Sequence, residues 1–452
     1  MIIRRPLPYL PDSIRYFSRI RPLGMAVWLD SCQPAAPSGR FDILSAAPIE
    51  SFSFFQQQNQ GCPFVQLDLL LSKHRVKSQP SQDLPFCGGA IGHFGYDLGR
   101  TIEALPEQAC NDMSYPDMQV GIYLWAIIVD HQQERCELVM QPSMSSADQN
   151  RIEQLLSALN QQNPTATDTG AFTLKRPFRA NVTPEQYKHS LATIDDYIHA
   201  GDCYQVNFAQ RFSSEFSGDP LQAYIKLRDA APVPFAAYIE SPQGSVLSLS
   251  PERFLELNDG EVSTRPIKGT RPTHRDQTKN QAEVEDLLSS TKDRAENLMI
   301  VDLLRNDLSK ACKFGSVKVP SLFALESYAN VHHLVSTVTG QLDSDKSAVA
   351  LLRSCFPGGS ITGAPKLRAM EIIEELEPHR RSVYCGSIGY ISFCGRMDTS
   401  ITIRTLLLEN SRIHCWAGGG IVADSEIDAE YQETFNKVNN LLHCLEDTIP
   451  SH

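Results

Sequence analysis

Short β-type runs of apolar residues broken by Pro and Gly fill residues 1–140, and the run from Val120 to Val129 is the longest, at ten residues. This part of the chain reads as strand-rich. Residues 141–175 shift to Gln, Ser, Thr and Asn. An amphipathic helix from Asp148 to Leu159 and a loop at Gln161–Thr165 are expected there, and the stretch is read as a polar linker. From 176 onward helices and strands alternate. Thr183-Pro184-Glu185 carries an N-cap, a first-turn Pro and an acid, so a helix should start there, run to about Ala200 and stop at Gly201. A strand is expected over Gln205–Phe212, a long helix over roughly 281–308, a shorter one over Lys366–Glu375 and a last one over roughly 426–446. The expected organisation is therefore a strand-rich region (1–140), a linker (141–175) and a catalytic region (176–452).

Composition narrows the function. The 452 residues are 42% apolar and 21% charged, as in a globular protein, and the net charge of −12 comes without any basic run. Nucleic acid is a poor partner for such a chain. An anionic substrate would need a local cluster of Arg, Lys or metal. The twelve cysteines show neither CxxC pairs nor zinc spacing. The first residues lack a signal-peptide core, and ten apolar residues are too few to span a bilayer. A cytoplasmic protein with free, mostly structural thiols is expected.

Four segments carry candidate chemistry. In Lys292–Asp307, Glu296 falls between Ile300 and Leu303 on a helical wheel that is apolar on nearly every side. A carboxylate in a buried helix must be paired or metal-bound, so Glu296 reads either as half of an ion pair or as a metal ligand with Asp293 one turn away. In Glu430–Lys437, Glu430, Glu433 and Lys437 share a face off the apolar stripe, which alone would be a solvated face. The preceding Gly418-Gly419-Gly420 permits close approach to a ligand and could leave N–H groups free for an anion. Two acidic helices meeting at one site would suit Mg²⁺, which takes few carboxylates and keeps waters. The stretch Phe356–Lys366 lacks phosphate-loop spacing and reads as a turn before a helix, or else as a small-residue wall. Beside Ser250-Pro251-Glu252 lies Arg265-Pro266-Ile267-Lys268-Gly269-Thr270. Lys268 is either exposed or, in an apolar pocket, a nucleophilic amine, and the residues alone leave both open.

Together these segments resemble the chorismate-utilising enzymes, a family that includes anthranilate, isochorismate and salicylate synthases. The resemblance covers about 180–446 and extends more weakly to Phe86–Asp97. It implies an α/β (α+β) fold of two intertwined halves, with antiparallel sheets packed as a central sandwich, helices outside and the active site in a cleft. It places magnesium carboxylates at Glu296 and Glu433, with Asp293 and Glu430 nearby, and substrate contacts at Arg404, Tyr384, Gly418, Gly420 and Lys437. It puts His333 near the substrate ring, Glu252 as the acid and Thr270 beside it. Where water-using relatives carry a Lys after the Gly201-Asp202 turn, this chain has Gln205, as in the ammonia-using branch. Where anthranilate synthases read Pro-Ile-Ala-Gly-Thr, it has Lys268, the pattern of the branch that makes aminodeoxychorismate.

The resemblance then implies a route. Lys268 attacks C2 of chorismate as the 4-hydroxyl leaves with a proton from Glu252, and ammonia attacks C4 and expels the lysine. No glutaminase signature (Gly-x-Cys-x-Gly with a downstream His-x-Glu) occurs in the chain, so ammonia is expected from a separate glutamine amidotransferase subunit. A tryptophan pocket known from the family would fall at Ser31, Arg40-Phe41-Asp42-Ile43 and Pro234-Phe235-Ala236, the plain alternative being a filled core with Arg40 paired to a carboxylate. The rival functions are anthranilate formation and a non-catalytic regulatory relative that binds chorismate or tryptophan.

Overall fold

The computed structural model describes residues 2–36, 39–59, 61–75, 83–157, 170–328 and 331–450. Two large sheets form the centre, one of 13 strands and one of 10. Every pairing between their strands is antiparallel, as between Phe235–Ser241 and Gly244–Ser250 or Gly89–Phe94 and Ser387–Ser392. Each sheet mixes early and late parts of the chain. In the larger one, Val27–Asp30 pairs with Phe235–Ser241, and in the smaller one Gly89–Phe94 lies beside Ser387–Ser392. The division at 141–175 therefore does not separate two folding units. The loop at Gln161–Thr165 and Leu159 lie outside the described residues; the helix before them spans Ser146–Ser157.

The apolar run Val120–Val129 is two strands, not one. Met118–Tyr123 belongs to the smaller sheet and Trp125–Asp130 to the larger, with Leu124 between them. All these positions are buried, so both faces are covered and no alternation marks the break. The strand after Gly201-Asp202 covers Gln205–Ser217, five residues beyond the expected end at Phe212. The helix after Thr183 forms as Pro184–His199, and Thr183 and Gln186 close a reciprocal capping box. The last helix is Ile427–Glu446 and the shorter one Lys366–Leu376.

The expected helix 281–308 is two helices, Gln277–Ser289 and Thr291–Ser309. Ser290 breaks them at ψ 108°, ending the first and capping the second by accepting from the Asp293 N–H. The second helix is not buried on every side. Asn297, Ile300, Val301, Leu304 and Leu308 face the core, while Leu298 is 46% exposed. Apolar count overstated burial here because the polar Asn297 takes a core position, hydrogen-bonded to Leu334 O and Ser336 Oγ.

Candidate active site

Two of the links by which the chain passes from sheet to sheet lie side by side. Glu252 lies between Gly244–Ser250 of the larger sheet and Arg253–Asn258 of the smaller, and Arg404 between Met397–Ile401 of the smaller and Thr405–Glu409 of the larger. Backbone bonds fix the links: Ile401 N donates to Glu252 O at 3.0 Å, and Leu249 N to Arg404 O at 3.0 Å. Both side chains line a cavity of about 660 Å³. Its walls come from both sheets, from Thr291–Ser309 and from Ile427–Glu446.

The acidic wall holds Asp293, Glu296, Glu430 and Glu433. Helical spacing puts Asp293 and Glu296 on one face of their helix and Glu430 and Glu433 on one face of theirs. Burial raises the Glu296 pKa; Lys268 and Lys292 oppose this, and Asp293 and Glu430 add to it. Glu433 is lowered: burial opposes ionisation, but the Lys437 ammonium at 2.6 Å outweighs it. Glu430 accepts from Ser425 Oγ at 2.6 Å and faces Lys292 at 3.5 Å. Among the described residues, no three His, Cys, Asp or Glu side chains converge into a ready metal cage. Two carboxylates sharing a site with a substrate carboxylate and waters suffice for Mg²⁺.

On the opposite wall, Lys268 Nζ donates to Ser360 O at 3.2 Å, and Ser360 Oγ donates to Glu252 Oε1 at 2.7 Å. Glu252 is buried, which raises its pKa, while Ser360, Lys268 and Lys437 pull the other way. The surroundings of Lys268 are not apolar, as the nucleophile reading assumed. Its charge acts on Glu252, Glu296 and Glu433 across the cavity. Ser360 also decides the fate of the glycine-rich segment: Gly359–Ile361 is a single turn whose Ser360 and Ile361 form cavity wall.

Arg404 has φ 51°, the left-handed region that costs a residue with a side chain about 1–3 kcal/mol. Among the described residues no hydrogen bond or ion pair holds its guanidinium, and burial lowers its pKa. A half-buried cation facing a cavity without such a partner can receive an anion. Nearby, Thr270 Oγ1 lies 2.9 Å from His333 Nδ1, and burial with the Arg404 charge pushes His333 down to about 4, so it is neutral at physiological pH. Tyr384, raised by burial, stacks parallel to Trp416 at 6.3 Å, and both line the cavity.

Gly418–Gly420 is not a loop offering free N–H groups but part of the strand Arg412–Ile421, paired in register with Ala209, Phe208 and Asn207. A Cβ on Gly418 would lie 2.3 Å from Phe208 O; one on Gly419 would meet Glu430 Oε2 at 3.1 Å. Lys437 Nζ donates to Gly418 O at 2.8 Å. Gln205 does not line the cavity. It is fully buried behind Gly420, and its amide finds no protein partner among the described residues. Gln205 and Asn207 share a face of the strand, and their position along it separates them: Asn207 reaches the wall that Gln205 stops short of. Sequence reasoning missed Asn207, Ser290, Lys292, Trp416 and Asn436 on the wall. Only Lys292 and Asn436, beside the acidic triplets, carried a local signal.

A second cavity of about 160 Å³ lies near the N-terminal strands, lined by Arg40, Phe41, Ile43, Pro234, Phe235 and Ala236 among others. Ser31 and Asp42 are not on its wall. Asp42 accepts from Ser13, Ser31 and the His131 ring on the other side of its strand, as alternation demands. Arg40 is paired with Asp130 at 2.8 Å, so the plain alternative holds for that residue.

Residues 25–443 match the family model described as chorismate binding enzyme. The chain belongs to the chorismate binding enzyme family. It is 50% identical over 442 residues to aminodeoxychorismate synthase component 1 of Escherichia coli K12, covering 95% of each chain. Identity to anthranilate synthase component 1 of Pseudomonas aeruginosa is 40% over 386 residues, covering 83% of this chain and 78% of that one. The crystal structure of anthranilate synthase component I from Streptococcus pneumoniae superposes with TM-score 0.79 at 32% identity, covering 90% of this chain and 92% of that one. The mixed α/β architecture of antiparallel sheets is thus that of this chorismate binding family.

Proposed function

We propose that this family member converts chorismate and ammonia to 4-amino-4-deoxychorismate, on the way to p-aminobenzoate and folate. One observation carries the choice of ring carbon: the Lys268 amine enters the cavity and is joined through Ser360 to the buried acid Glu252. A nucleophile and an acid on the same wall can act at C2 and C4 of one ring. Arg404 and the Lys437 side hold the substrate's two carboxylates. Lys268 passes a proton to water, and its amine bonds to C2. The two conjugated double bonds shift, and the C4–O bond breaks as Glu252 delivers its proton. Ammonia then bonds to C4, the double bonds return, and the C2–N bond to Lys268 breaks. Neutral His333, fixed by Thr270, packs beside the ring without adding charge.

Mg²⁺ fits the acidic wall, held by Glu296 and Glu433 with Asp293 and Glu430 behind them, where it would offset the charge of a substrate carboxylate. Ammonia comes from a separate glutamine amidotransferase subunit, in line with relatives that are called component 1. Among the described residues no helix is long and apolar enough to cross a membrane, in keeping with a cytoplasmic enzyme. The second cavity is the place for tryptophan; calorimetry with tryptophan and an Arg40→Ala control reads whether it binds.

The test is incubation with chorismate, Mg²⁺ and ammonium, with and without a lyase that removes pyruvate from aminodeoxychorismate. p-Aminobenzoate should form only with the lyase. Lys268→Ala should lose most 4-amination, and full aminodeoxychorismate output from it would refute the covalent step. Fluorescent anthranilate from the unmodified protein would identify the rival reaction.

A further inference from the structure

Outside the lining of either cavity, the smaller sheet brings two thiols together. Gly89 faces Ser392 in the ladder between Gly89–Phe94 and Ser387–Ser392. The bond from Phe393 N to Gly88 O at 2.8 Å carries the register one step further, so that Cys87 and Cys394 come to face each other. Cys87 lies in the bend that leads into this ladder and Cys394 in the turn that leaves it, at the same end of the two strands. The side chains agree. Cys87 Sγ and Cys394 Sγ lie 3.4 and 3.2 Å from the same hydroxyl, Ser392 Oγ, close enough that each thiol shifts the titration of the other.

The two differ in access. Cys87 is 2% exposed, whereas Cys394 is half-buried in the turn before Met397–Ile401. The hydrogen bond from Cys87 holds the Cys394 thiol below its ordinary range; burial opposes this, and Ser392 and the nearby Arg396 charge assist it. The other buried cysteines for which a shift is resolved, such as Cys355 and Cys415, are raised by burial and inert.

We propose that Cys394 and Cys87 form a reversible dithiol–disulfide site, with Cys394 as the attacking thiol and Cys87 as the resolving one, oxidised by a small-molecule disulfide. The Cys394 thiolate bonds to one sulfur of the small disulfide, whose S–S bond breaks and releases one small thiolate. Cys87 then loses its proton, bonds to the Cys394 sulfur and expels the second small thiolate, which takes that proton. The protein dithiol is oxidised by two electrons and the small disulfide is reduced to two thiols. Once Cys394 is capped, the hydrogen bond that kept the Cys87 proton in place is gone, which favours the second step.

The whole protein is incubated with glutathione disulfide under native conditions, acid-quenched, alkylated, digested and analysed by mass spectrometry. Expected is a cross-linked pair of peptides containing Cys87 and Cys394, lost on treatment with dithiothreitol, while Cys355 and Cys415 remain free. Cys87→Ser should instead accumulate stable glutathione on Cys394, and Cys394→Ser should leave Cys87 unmodified. Alkylation of Cys394 at neutral pH should be several-fold faster than that of exposed Cys110. Stable glutathione on Cys394 of the unmodified protein, or no reaction at Cys394 while Cys110 is modified, would overturn the proposal. Activity of Cys394→Ser should match the unmodified protein, since neither thiol lines the first cavity.

Discussion

Ser360 is a single hydroxyl with two consequences, because its Oγ bonds Glu252 and its backbone carbonyl receives Lys268. A hydrogen bond to a carboxylate favours the ionised form. Removing it in Ser360→Ala raises the already raised Glu252 pKa further. In the proposed reaction Glu252 acts as an acid, so activity falls as pH climbs through its pKa, and the alkaline limb of kcat/KM should move to higher pH in Ser360→Ala. An unmoved limb would mean that Glu252 does not supply the proton. Arg404 makes a second residue-scale prediction. Its guanidinium has no partner among the described residues, the proposed reaction gives it a substrate carboxylate, and a charge-assisted hydrogen bond contributes about 1.5–3 kcal/mol. Arg404→Ala should lower kcat/KM by about 10- to 100-fold, mainly through KM. Substrate affinity unchanged in direct binding would remove Arg404 from recognition. The sequence could flag Arg404 only through family pattern; its positive φ and its lack of a partner are features of the folded chain.

At the scale of elements, the strand Arg412–Ile421 and the helix Ile427–Glu446 show how neighbouring glycines can differ. A Cβ at Gly418 would strike the backbone of Gln205–Ser217, which cannot yield without breaking the ladder, whereas at Gly419 it would meet the side-chain ends of Glu430, Glu433 and Lys437. Gly418→Ala should cost about 1–3 kcal/mol of stability, in the manner of overpacking. Gly419→Ala should melt near the unmodified protein but bind Mg²⁺ more weakly. Thermal melts and a Mg²⁺ titration of activity read both, and equal melting temperatures for the two variants would contradict the geometry. The helix break at Ser290 was hard to read because Ser289-Ser290-Thr291 continues a helical pattern on both sides. Its cap, however, aims the Asp293–Glu296 face at the cavity.

At the scale of the molecule, the cleft exists because the chain changes sheets at Glu252 and Arg404, side by side. The N-terminal strands complete both sheets, so a fragment of residues 176–452 lacks the partners of Phe235–Ser241 and Ser387–Ser392. Exposed sheet edges and uncovered apolar faces prevent independent folding. Such a fragment should show no cooperative thermal transition, while the whole chain shows one. A sharp melt and chorismate binding by the fragment would show that the two parts are separable after all.

Local signals settled a good deal. The capping box at Thr183, the stop at Gly201, the last helix and the pairing of acids at helical spacing follow from backbone and side-chain chemistry within a few residues. The order of motifs marked the family, and Lys268 the branch. What no local signal carried was any choice made between distant segments. Val120–Val129 divides between two sheets, Gln205 stops behind Gly420 while Asn207 reaches the wall, Ser31 and Asp42 turn away from the second cavity, and Cys87 meets Cys394. In each case the outcome depends on which strand lies opposite, and strand pairing is set by burial of faces across hundreds of residues, not by the residues at the position itself.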